Sequence, residues 1–68
     1  MNTEVMLVAD IIDDVYEDNV VFFDVYYGDR CECNMSADKT VRNYGDLYVD
    51  YANWKNNNHD RLEIFIKE

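Results

Sequence analysis

The sequence predicts an α+β fold. It reads as a single small domain over residues 1–68, with element order β-β-β-α-β and one helix packed on one face of a mostly antiparallel sheet. Three observations predict it. Short runs of β-branched and aromatic residues alternate with polar turns. One stretch, residues 38–54, repeats its apolar residues at spacings of three and four. Proline is absent and glycine occurs only twice, so regular structure runs nearly uninterrupted.

Residues 4–12, Glu-Val-Met-Leu-Val-Ala-Asp-Ile-Ile, read as a first strand with Val5, Leu7, Ala9 and Ile11 on one face. Residues 13–19 are polar and read as a turn. Val20 to Tyr27 is a second strand: Val21, Phe23, Val25 and Tyr27 share one face, and Val20, Phe22, Asp24 and Tyr26 the other. Arg30 to Met35 is a third. Residues opposite one another in a hairpin share a face. A Tyr26-Tyr27-Gly28 loop, with glycine left-handed, therefore puts Cys31, Cys33 and Met35 in the core, whereas a two-residue Gly28-Asp29 loop puts them on the face of Asp24. The odd loop is expected.

Asp38 is the expected N-cap of the helix. Val41, Tyr44, Leu47, Tyr48, Tyr51 and Trp54 form its stripe, and Gly45 gives close approach to the sheet. Asn56, Asn57 and Asn58 end it. Arg61 to Lys67 is the last strand, with Leu62, Ile64 and Ile66 inward. Phe22, Tyr26 and Phe65 then lie on the uncovered sheet face, a surface for a partner or a homodimer.

Charge carries the functional signal. Fifteen acids face six bases, for a net charge of −9. Glu4, Asp10, Asp13, Asp14, Glu17, Asp18, Asp24 and Asp29 fall in the first 29 residues, which contain no Lys or Arg. Such a chain repels phosphates, so direct nucleic-acid binding by charge attraction is excluded. An apolar fraction of 49% is too high for a disordered acidic tail. No apolar run is long enough to span a membrane, and no secretory leader is evident. Cysteine usage fits a reducing, cytoplasmic setting.

Little here names a catalytic chemistry. His59 is the sole histidine, in a loop beside Asp60, and no nucleophile–base–orienter set accompanies it. Cys31 and Cys33 fit core positions better than a redox pair or half of a zinc site, because a zinc site with His59 lacks its fourth ligand. The Asp13-Asp14-Val15-Tyr16-Glu17-Asp18-Asn19 turn has oxygens for calcium but not the order or glycine of an EF-hand. No cofactor, no resident metal and no enzymatic activity are expected.

The carboxylates themselves are the expected active feature. Residues i and i+2 on a strand lie about 6.6 Å apart, and i and i+4 on a helix about 6 Å. Both spacings resemble neighbouring phosphates. Asp46 and Asp50 take the helical spacing; Asp10, Asp13, Asp14, Glu17, Asp18, Asp24 and Asp29 make a second acidic patch, with Tyr16 and Tyr26 as interface aromatics. A simple solubilising surface is the alternative reading of the same charge.

In size, charge and architecture the whole chain resembles the small acidic α+β proteins that phages direct against host defences, the anti-CRISPR proteins and DNA-mimic inhibitors. No signature motif carries the resemblance. It implies stoichiometric inhibition of a basic host protein, such as a CRISPR effector or another nucleic-acid-binding enzyme. A small adaptor that self-associates through the uncovered sheet face is the competing expectation.

Overall fold

A computed structural model describes residues 6–15, 22–55 and 60–67. Its order is α-β-β-α-β-β: α1 Val8–Val15, β1 Phe22–Tyr27, β2 Arg30–Met35, α2 Ala37–Tyr44, β3 Val49–Trp54 and β4 Arg61–Ile66. The α+β class stands, but the order β-β-β-α-β and the single helix do not. Two helices cover one face of a four-stranded sheet ordered β2-β1-β4-β3. The outer pairings β1–β2 and β3–β4 are antiparallel, whereas the central pair β1–β4 is parallel. The last strand thus joins the centre of the sheet rather than an edge.

The expected first strand is α1. Val8, Ile11, Ile12 and Val15 are all buried, at positions i, i+3, i+4 and i+7 of one helical face. Asp10 Oδ2 accepts the Leu7 N–H at 3.1 Å, the reach-back half of a capping box. The Val8 and Ala9 N–H groups, left orphaned by the helix start, donate to the Leu47 and Gly45 carbonyls at 2.9 and 3.2 Å. Leu7 also forms an isolated bridge with Tyr48. Asp13 and Asp14 are therefore helical rather than part of a turn.

The long second helix divides in two. α2 ends at Tyr44, and Gly45 caps it by donating to the Val41 carbonyl at 2.8 Å. A Cβ at Gly45 would fall on that carbonyl oxygen. Four residues after Gly45, β3 begins, with Val49, Ala52 and Trp54 facing Ile66, Ile64 and Leu62 of β4. The N-cap is Ser36 rather than Asp38: its Oγ accepts the Lys39 N–H at 3.2 Å, and its carbonyl accepts the buried Thr40 hydroxyl at 2.7 Å.

The β1–β2 loop is the two-residue Gly28-Asp29 turn, not the odd loop. Tyr27 pairs Arg30 and Tyr26 pairs Cys31. Gly28 takes φ 59° at the first central position, where a mirror-type hairpin turn needs glycine. Cys31 and Cys33 are consequently exposed instead of buried. Met35 still reaches the core, because a bulge between the Glu32 and Met35 pairings, with Asn34 at φ 60°, switches the strand's phase. The core joins Val8, Ile11, Ile12 and Val15 to Phe23, Val25, Met35, Val49, Leu62, Ile64 and Ile66. Tyr48 and Tyr51, expected in the helical stripe, are exposed.

Candidate functional site

The outward face of α1 is acidic. Because α1 turns Val8, Ile11, Ile12 and Val15 inward, its outward positions are left to Asp10, Asp13 and Asp14, all exposed. The helix contains no Lys or Arg. Beside it, a shallow groove between α1 and α2 is lined by Ile12, Ala37 and Val41 and flanked by Asp13, Asp38 and Arg42. Val41 is 40% exposed there, an apolar contact point between carboxylates.

The opposite sheet face is aromatic. Tyr26, Phe65 and Tyr51 stack across β1, β4 and β3, with centroids 4.8 and 4.4 Å apart and planes within 11°. The rings spend their faces on one another, so they are a cross-strand ladder rather than an open stacking platform. Glu63 on the same face accepts the Tyr26 hydroxyl at 3.0 Å and meets Lys55 Nζ at 3.7 Å. That hydrogen bond, then burial and the Glu63 charge, push the Tyr26 hydroxyl up to about 12. The Arg61 guanidinium lies 5.1 Å over the Phe22 ring.

Asp24 departs from its expected role as a partner contact. It is only 2% exposed, and its Oδ1 accepts both the Asn34 N–H and Arg61 Nη1 at 3.0 Å. Arg61 also donates to Asn34 Oδ1 at 2.7 Å, closing a triangle over the bulge. Near α2, Glu32 meets Lys39 Nζ at 3.3 Å and accepts the Tyr44 hydroxyl at 2.8 Å. Those two contacts, the tyrosine first, hold the Glu32 carboxyl below its usual range, and the same bond raises the Tyr44 hydroxyl.

The remaining expected contacts are spread over the fold. Asp29 is exposed in the β1–β2 turn, Asp46 in the turn after α2, and Asp50 at the irregularity in β3. Asp46 and Asp50 therefore do not have helical phosphate-like spacing. Tyr26 is on the outer face as expected, but hydrogen-bonded to Glu63. Tyr16, Glu17 and Asp18 lie outside the described residues, as does His59. Among the described residues no group of three His, Cys, Asp or Glu side chains is placed to hold a metal ion, and no helix is long and apolar enough to cross a membrane. Sequence reasoning missed Val41 as a groove residue, Tyr51 as the end of the ladder, and Arg61 as the partner of Asp24. The alternation of Tyr51 and Asn53 with Ala52 and Trp54 was a usable signal for Tyr51.

The described residues thus form a small two-layer α+β domain with an acidic face on α1 and an aromatic sheet surface. Comparison with protein-family models, curated proteins and solved structures finds no match.

Proposed function

We propose that the protein is a non-enzymatic binding module of the anti-defence inhibitor type. It docks the acidic face of α1 on the basic, nucleic-acid-binding surface of a host protein such as a CRISPR effector, in the host cytoplasm. One observation carries the reading: Asp10, Asp13 and Asp14 project from α1 without a cation on that helix, beside a groove whose apolar lining gives a partner side chain a seat. Three of the six cations, Arg61, Lys55 and Lys39, are engaged by Asp24, Glu63 and Glu32, all outside α1, and Arg42 flanks the groove from α2. Complementary charge of this kind speeds encounter and makes binding weaken with salt. Asp46, in a turn, and Asp50, in β3, lie apart from this surface, which belongs to α1.

The test is capture from host lysate on the immobilised chain at low and high salt, with DNA or RNA as competitor. A nucleic-acid-binding protein retained at low salt, and displaced by nucleic acid, is the expected result. The double variant Asp13→Lys with Asp14→Lys should keep the wild-type circular dichroism and lose the captured protein. Undiminished capture by a folded variant would sink the proposal.

A second reading is favoured by the ladder. Phe22 and Tyr51 remain 39% and 49% exposed at its margins, a face on which two copies could meet. Sedimentation equilibrium at high salt decides it, since net charge opposes self-association when salt is low. A monomer at high concentration would remove this reading.

A further inference from the structure

We propose that Cys31 and Cys33 form a dithiol site that reacts with low-molecular-weight disulfides and closes to an intramolecular disulfide. The two sulfurs lie 3.3 Å apart on exposed residues of β2. β2 is an edge strand, and among the described residues no further strand lies beside it. The even hairpin places Cys31 opposite Tyr26, on the outer sheet face, and Cys33 follows two residues later.

Backbone geometry suits closure. Residues i and i+2 of a strand have Cα atoms about 6.6 Å apart, within the roughly 4.4–6.8 Å that a disulfide spans. The sulfurs must approach to about 2.05 Å, which needs side-chain rotation and a small backbone shift. The bulge supplies the slack: Val25 pairs Glu32 and Phe23 pairs Met35, so Cys33 and Asn34 lie between the regular pairings.

The pair also divides the labour. The hydrogen bond to the Cys31 sulfur, burial and the nearby Asp24 charge all push the Cys33 thiol up. A raised Cys33 thiol favours Cys31 as the first attacker, with Cys33 3.3 Å away to resolve the mixed disulfide. In the first step the Cys31 thiolate attacks one sulfur of the reagent, RS–SR. The reagent's S–S bond breaks, a mixed disulfide forms on Cys31, and one RS⁻ leaves. Cys33 then gives up its proton to that thiolate and attacks the Cys31 sulfur, expelling the second RS⁻. The protein loses two protons and two electrons, and the reagent is reduced to two thiols.

The experiment treats the full chain with 2-hydroxyethyl disulfide in mildly alkaline buffer. Remaining thiols are trapped with iodoacetamide, and intact mass and peptide maps are read. The expected product is a monomer lighter by two hydrogens, with neither cysteine alkylated. Cys33→Ser should stop at a mixed disulfide on Cys31. The folded chain should close at least about tenfold more readily than the urea-unfolded chain, because the fold holds the sulfurs together. A stable mixed disulfide on wild type, a disulfide-linked dimer, two alkylated cysteines, or equal closure when unfolded would each overturn the proposal.

Discussion

Asp24 on β1 and Arg61 on β4, 37 residues apart in sequence, meet at 3.0 Å with the carboxylate 2% exposed. The contact spans the one parallel seam of the sheet, and Asn34 joins it from the bulge in β2. Three strands are tied at a single carboxylate oxygen. The two members of the ion pair differ in exposure, since the Arg61 side chain is 27% exposed and that of Asp24 3%. Removing them should therefore have unequal effects. Arg61→Leu leaves a buried carboxylate with one N–H donor and should destabilise the fold by about 3 kcal/mol. Asp24→Asn keeps an acceptor for Asn34 and leaves an arginine that can resolvate, a loss of about 1–2 kcal/mol. Urea unfolding of both variants checks the order.

Gly45 should not tolerate a side chain. Its Cβ would fall on the Val41 carbonyl oxygen, and its own carbonyl receives the Ala9 N–H from α1. Any shift that relieves the first contact disturbs the second. Gly45→Ala should lower stability by about 1–3 kcal/mol, although alanine is the better helix former. Thermal unfolding of the variant measures it; an unchanged or raised midpoint would contradict the role assigned to the glycine.

Phe65 is the middle ring of the ladder and contacts both Tyr26 and Tyr51. Each aromatic pair contributes about 0.5–1.5 kcal/mol beyond burial. Phe65→Ala should thus destabilise more than Tyr51→Ala, which removes one stacked contact at an exposed edge. A double-mutant cycle between Tyr26 and Phe65 should show coupling.

Stability should fall at both ends of the pH range. Tyr26 has its hydroxyl raised to about 12 in the fold, above its ordinary value of 10.0. Its contribution is complete below the unfolded value and is lost as pH climbs from 10 towards 12. Glu32 behaves in the opposite sense: its folded value is lowered from 4.5, so its contribution is present above that pH and disappears as acid carries it through the folded value. Chemical denaturation across pH should show the alkaline loss diminished in Tyr26→Phe and the acid loss diminished in Glu32→Gln.

How much of this was legible depends on which residues compete for a reading. β1, β2 and β4 were visible because Phe22–Tyr27, Arg30–Met35 and Arg61–Ile66 are short runs with clear turns around them. Val8, Ile11, Ile12 and Val15 satisfy a helical period, yet Val5, Leu7, Ala9 and Ile11 also alternate, and the β-branched composition favoured the wrong period. Tyr44, Tyr48 and Tyr51 sit at helical spacing across a glycine that ends the helix, which hid β3. The acids of α1 were recognised by type, but their grouping on one helical face needed the helix. Asp24 was placed on the outer face correctly; its burial depended on an arginine 37 residues away, which no local pattern shows.

The parallel seam between β1 and β4 also sets the order in which the domain can assemble. The sheet consists of two antiparallel pairs, β1–β2 and β3–β4, joined only along that seam. An isolated two-stranded pair is marginal in water. Neither half gains a lasting core until the chain between them, α2 included, has closed a long loop. The entropic toll of that closure comes before its reward, so folding should be cooperative and slower than a helical domain of this length. Substitutions at Phe23, Val25 and Ile64, which line the seam's core side, should slow refolding, whereas changes at the outer edges of β2 and β3 should chiefly speed unfolding.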